Sequence, residues 1–135
     1  MTNDPLRYMT ETERACVQRY IEAVVRRLER NLVEVLLFGS FVRGDIWGRH
    51  WPMHSDVDLL ILTTQPVQES DREDLINETY PLYLECGRQI SPQFRTVAEL
   101  QQPTTARGTA FKEQIAEEGR VVFSWEPTPP RQEEG

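Results

Sequence analysis

Lysine is nearly missing from this sequence: of fifteen basic residues only Lys112 is a lysine, and the rest are arginine. The skew reads first as a compositional bias of the genome and only then as a set of phosphate-gripping arginines. Positive charge is scarce as well. The formal net charge is −7, which argues against a general nucleic-acid binder, because such proteins carry a basic surplus or stripe. An acidic balance favours solubility and suits a basic partner. Cysteine is limited to Cys16 and Cys86, and neither belongs to a CxxC pair, so no zinc knuckle is expected. Both fall in segments of helical spacing, where free cysteine behaves as a small buried apolar group. No apolar run approaches the roughly 20 residues of a membrane span. The opening "MTNDPLRYMT" lacks a basic start followed by an apolar run, so no secretion signal is read. The cytoplasm is the expected location.

What is present fits one domain. A chain of 135 residues is long enough to bury a core without staples. Thr10 and Glu13 have capping-box spacing. Val17, Tyr20, Ile21, Val24 and Leu28 follow at three- and four-residue steps, one apolar helix face, with Asn31 as the expected stop. "LVEVLLF" (Leu32–Phe38) predicts a buried strand. Gly39-Ser40 breaks it, and "FVRG" predicts about one helical turn ended by Gly44. A loop of Trp, His, Gly and Pro follows. "DVDLLILT" (Asp56–Thr63) predicts a second strand, and its lack of polar alternation says that both faces are covered.

Ser70 and Glu73 repeat the capping-box spacing. Leu75, Ile76, Tyr80, Tyr83 and Leu84 predict the apolar face of the next helix, with Pro81 kinking or splitting it and Gly87 ending it. Arg88–Thr96 reads as a third strand, at an edge because of Pro92. A helix is expected over Thr109–Glu118, then a last strand over Arg120–Trp125. The order predicts an α/β (α+β) domain, a small mixed sheet with helices packed on it. It would span 1–125 and be followed by a disordered Pro/Glu-rich tail, "EPTPPRQEEG", at 126–135.

Chemistry is concentrated in "LLFGSFVRGDIWGRHWPMHSDVDLLIL". Residues two apart on a strand share a face, about 6.6 Å apart, so Asp56 and Asp58 project together from the head of a buried strand. Two bare carboxylates there repel, and desolvation adds to the cost. Mg²⁺ resolves both problems and shares its coordination sphere with substrate phosphates. Gly39 permits close approach to the backbone, the turn offers N–H groups to an anion, and Ser40 adds a hydroxyl. Arg43, about one turn later, is placed to neutralise a phosphate or to pair with an acid. Each piece also has an ordinary reading: a turn, a solvated strand end, a surface arginine. The whole string, G-S-x-x-R-G, loop, S-D-x-D between two apolar strands, points to phosphate chemistry.

That string resembles the signature of the nucleotidyltransferase superfamily to which DNA polymerase β belongs. More narrowly, it is similar to bacterial MNT (minimal nucleotidyltransferase) domains. "ISPQFRTVAEL" and "IAEEGRVVF" extend the resemblance to roughly Leu32–Phe123. It implies the nucleotidyltransferase fold, with Gly39 and Ser40 holding the triphosphate of ATP and Asp56 and Asp58 as catalytic metal ligands for Mg²⁺. It further implies transfer of AMP to a protein acceptor, a HEPN-type toxin, which makes the chain an antitoxin; no direct nucleic-acid partner and no membrane are expected. The alternative is a catalytically impaired antitoxin that neutralises its partner by binding alone.

Two departures bear on this. The loop at 45–55 is about five residues longer than the pattern and contains Trp47, His50, Trp51 and His54. It is either a loop anchored by its tryptophans or a place where an aromatic stacks on a base or partner. The pattern's third carboxylate falls on Ser91, which cannot replace its charge. Asp45 and Glu85 are the nearest acids in sequence.

Overall fold

The computed structural model describes residues 4–46 and 55–125. The expected tail at 126–135 and residues 47–54 of the long loop, with both tryptophans and both histidines, lie outside the described residues.

Helix α1 (Glu11–Leu28) begins where the capping box predicts: Thr10 Oγ1 accepts from Glu13 N–H at 3.1 Å, and Glu13 Oε1 accepts from Thr10 N–H at 3.0 Å. Its buried face includes Val17, Tyr20, Ile21, Val24 and Leu28. The helix ends before Asn31, because Glu29 turns to φ 51° and a 3₁₀ turn follows. Asn31 instead clamps a distant link: its side chain donates to Gln65 O at 3.0 Å and accepts from Gln65 N–H at 2.8 Å.

Four strands form one sheet in the order β3-β2-β1-β4. They are β1 (Leu32–Phe38), β2 (Val57–Thr63), β3 (Ile90–Thr96) and β4 (Arg120–Ser124). β1 lies antiparallel to β2 and β4, and β2 parallel to β3. β2 starts one residue later than expected and β3 two; Pro92 does sit in an edge strand. One face of the sheet, with Val35, Leu37, Val57, Leu59 and Ile61, packs under α1 and the helices between β2 and β3. The other, with Leu36, Phe38, Leu60 and Leu62, packs against Ile115 and Phe111 of the last helix. Coverage on both faces is why 35–38 of β1 and 59–62 of β2 read as unbroken apolar runs.

The β2–β3 crossover contains two helices, α3 (Glu69–Asn77) and α4 (Thr79–Cys86). Pro81 stands in the first turn of α4, where its missing N–H costs no intrahelical bond. Two expectations fail here. Ser70 and Glu73 form no cap: Gln68 is already the extended N-cap residue and Ser70 lies inside the first turn. Of the expected apolar set only Leu75 is buried: the core takes Leu75, Thr79, Leu82 and Cys86, Tyr83 is half-buried, and Ile76, Tyr80 and Leu84 are exposed. That buried set has an equally helical spacing of four, three and four residues, so periodicity alone could not choose. Beyond β3, a short helix (Val97–Gln101) was not foreseen, although Thr96 and Glu99 form a full capping box. The last helix (Ala106–Glu118) starts three residues early on the Thr105 cap. Among the described residues no helix is long and apolar enough to cross a membrane.

Candidate active site

β1 delivers Phe38 opposite Asp58 of β2, so the turn that ends β1 lies beside that carboxylate. Gly39 adopts φ 85°, ψ −151°, a region essentially reserved for glycine. A Cβ built on it would collide with Asp58 Oδ2. The single turn Ser40–Arg43, here α2, follows, held in the core by buried Phe41 and stopped by Gly44 at φ 90°.

Asp58 shares its face of β2 with Leu60 and Leu62. Burial first, then the neighbouring Asp56 charge, pushes its carboxyl up to about 6; Arg43 pulls it back and Glu118 adds to the push. Asp56, just before the strand, accepts a hydrogen bond from Ser91 Oγ at 2.9 Å. Ser91, where the sequence pattern implies a third acid, is therefore a donor to the first. Asp45 is tied to Arg43 at 3.3 Å, and Glu85 to Arg19 at 2.8 Å. Among the described residues no three acids, histidines or cysteines gather as a metal site.

Glu118 escaped the sequence reading. Its Oε2 accepts from Gly39 N–H at 2.8 Å and from Gln114 Nε2 at 2.8 Å, and Arg43 Nη1 lies 3.2 Å from its Oε1. Burial opposes its charge, but the bonds from Gln114, Gly39 and Arg43 outweigh burial and hold the carboxyl below its ordinary range. A carboxylate thus occupies two of the groups read as phosphate-binding, Gly39 N–H and Arg43. The one signal in the sequence was the acid before Gly119, "EEGRVVF", far from the turn it serves.

Arg88 joins the parts. It is buried, 2.9 Å from Glu13 Oε2 of α1; its Nη1 donates to Ser55 O at 3.0 Å; and its guanidinium lies 5.1 Å from the Phe41 ring centre. One side chain thereby connects α1, the head of β2 and α2. Beyond Asp58 opens a cleft of about 780 Å³, lined among others by Phe38, Gln93, Arg95, Phe111 and Gln114. That volume is in the range that takes a small-molecule ligand.

A family model described as a nucleotidyltransferase domain matches residues 17–122. No curated protein matches the sequence. Solved structures match the fold. Spectinomycin adenyltransferase AAD(9) from Enterococcus faecialis, with ATP and spectinomycin, is 13% identical over 84% of this chain and 57% of its own, with a TM-score of 0.55. A mutant of the toxin-antitoxin MntA-HpeT is 14% identical over 81% of this chain and 73% of its own, with a TM-score of 0.52. A toxin-antitoxin with AMP-PNP is 17% identical over 81% of this chain and 74% of its own, with a TM-score of 0.51. At these identities the likeness is one of fold.

Proposed function

The chain belongs to the nucleotidyltransferase domain family, and we propose that it transfers AMP from ATP to a hydroxyl of a protein partner, a HEPN-type toxin in the cytoplasm, and so acts as an antitoxin. The transferring unit is residues 1–125. The observation that carries this reading is the meeting of the Gly39 turn with Asp58 at the rim of an open cleft, with Asp56 one alternate position away. Two of the solved structures with this fold hold ATP or AMP-PNP, and two are toxin–antitoxin proteins, which supports the same reading.

The residues fit a magnesium ion that shares its sphere with phosphate. Asp56 and Asp58 offer hard oxygen donors, and the raised proton affinity of Asp58 marks an uncompensated charge. Mg²⁺ is held by one or two carboxylates plus phosphate oxygens rather than by a closed protein cage. Asp56 and Asp58 would hold it, and when bound it supplies neutralising charge to the phosphates. Gly39 N–H, the Ser40 hydroxyl and Arg43 orient the triphosphate, which replaces the Glu118 carboxylate at the turn. The acceptor oxygen bonds to the α-phosphorus as the bond to the β-phosphate breaks. Pyrophosphate leaves, and the hydroxyl proton passes to water at the open cleft.

The test is label transfer from α-labelled ATP to the partner protein. Wild type is expected to label it and Asp56→Asn/Asp58→Asn is not; equal labelling by both rejects the reading. Ser91 favours a second reading, neutralisation by binding alone, because it leaves the site one acid short. If chemistry is limited by that acid, Ser91→Asp raises the transfer rate by tenfold or more, within the range of general-base effects. If the chain only binds, Ser91→Asp changes nothing and the double aspartate variant still neutralises its partner.

A further inference from the structure

Helices α3 and α4 form nearly one rod. Glu78 between them keeps helical angles, φ −64°, ψ −22°, and its N–H reaches Asp74 O at 3.0 Å. The rod has two apolar stripes. Leu75, Thr79, Leu82 and Cys86 enter the core. Ile76, Tyr80 and Leu84 stand outside, 40%, 64% and 67% exposed. Scattered single apolar residues on a surface need no explanation. Three large ones at four-residue steps are neighbours on one helical face, and among the described residues nothing covers them.

The charge of the rod says what could. Between 69 and 86 stand Glu69, Asp71, Glu73, Asp74, Glu78 and Glu85 against a single base, Arg72. Arg72 is turned to the Phe94 ring, 5.7 Å away. Arg27 engages Asp71 and Asp74, and Arg19 engages Glu85. Glu69 and Glu73, at four- and three-residue steps before Ile76 on the same helical face, make no ion pair among the described residues. A second copy of this chain would oppose like charge to like charge. An anionic membrane surface would be repelled too, since it attracts basic segments.

We propose that the outer face of α3–α4 is a docking surface for an amphipathic helix of a partner protein, with an apolar stripe bordered by lysine or arginine. The apolar stripes bury against each other, a helix-in-groove mode of recognition, and the basic border meets the free glutamates and sets partner choice. This face lies in the α1 layer, on the opposite side of the sheet from the Asp58 cleft. Docking here is therefore separable from chemistry at Asp56 and Asp58, and the inference stands whether or not the transfer reading does.

The probe is a labelled synthetic helix with a leucine stripe bordered by lysines, followed by fluorescence anisotropy at physiological salt. Its controls are a glutamate-bordered version, a scramble of the same composition, and phosphatidylserine vesicles. The lysine-bordered helix is expected to bind wild type. Binding is expected to weaken at least tenfold in Tyr80→Glu/Leu84→Glu and also in Glu69→Lys/Glu73→Lys, and to be unchanged in Asp56→Asn/Asp58→Asn. Thermal melts followed by circular dichroism check that each variant folds; Tyr80→Ser/Leu84→Ser replaces the first if it melts early. The proposal is overturned if the helix does not bind, if the scramble or the glutamate version binds equally, or if the stripe variants bind as wild type does. It is equally overturned if vesicles compete, or if sedimentation shows wild type self-associating through this stripe and the variants monomeric.

Discussion

Asp58 sits where a carboxylate is costly to ionise. Its carboxyl is raised from 3.8 to about 6 by burial first and by Asp56 second. A raised pKa in the folded state means that the fold binds more protons than the unfolded chain between about pH 4 and 6. Stability is therefore lost as pH rises through that window and is flat above it. Asp58→Asn in metal-free buffer should be more stable than wild type at pH 7.5, by about 1–2 kcal/mol after allowance for solvent screening of a partly exposed group. The advantage should vanish below pH 4, and paired thermal melts at the two pH values in EDTA would read it. Gly39 is the complementary case. Alanine there meets a left-handed φ of 85° and the Asp58 carboxylate at once, so Gly39→Ala should cost about 1–3 kcal/mol and abolish binding of a fluorescent ATP analogue. A variant that melts and binds like wild type would contradict the close approach on which the site depends.

At the scale of elements, the sequence was legible wherever a local signal had one meaning. β1 falls on Leu32–Phe38 as expected, Thr10 caps α1 with both bonds of its box, and the pattern around Pro81 is split, α3 ending at Asn77 and α4 starting at Thr79. It was illegible where two meanings were equally local. The α3–α4 rod has two apolar stripes, and only the position of the sheet decides that Leu75 faces in and Ile76 out. Glu118 lies 79 residues from the Gly39 N–H it accepts from, and nothing local marks that bond. The short helix after β3 was different: its signal, Thr96 with Glu99, was present and unread. Thr96→Ala removes the hydroxyl that accepts from Glu99 N–H at 3.0 Å and should cost about 1 kcal/mol. The loss should fall on the cleft wall, where Val97 and Leu100 pack against the second core cluster, and hydrogen exchange should speed at 97–101 before it does in α1.

The whole molecule is a sheet with chemistry at the strand ends of one face and the α1 layer on the other, and Arg88 ties the two together. Its partner Glu13 belongs to α1; the carbonyl it grips belongs to Ser55, immediately before Asp56. Both charged groups are almost wholly buried, at 5% and 2% side-chain exposure. Removing one member of such a pair costs about 3–5 kcal/mol, whereas replacing both with apolar side chains of similar volume is often neutral. Arg88→Met should therefore lower the urea midpoint sharply with an unchanged slope, and Glu13→Leu/Arg88→Met should recover most of the loss. Recovery of function should not follow. In the double variant the Ser55 carbonyl has lost the guanidinium that grips it, and Asp56 loses its fixed position relative to the Gly39 turn. Stability near wild type with weakened ATP-analogue binding would identify Arg88 as the group that aligns the layers for the site. If the double variant instead binds nucleotide as wild type does, the ion pair serves the core alone, and Asp56 is placed by β2 and Ser91 without it.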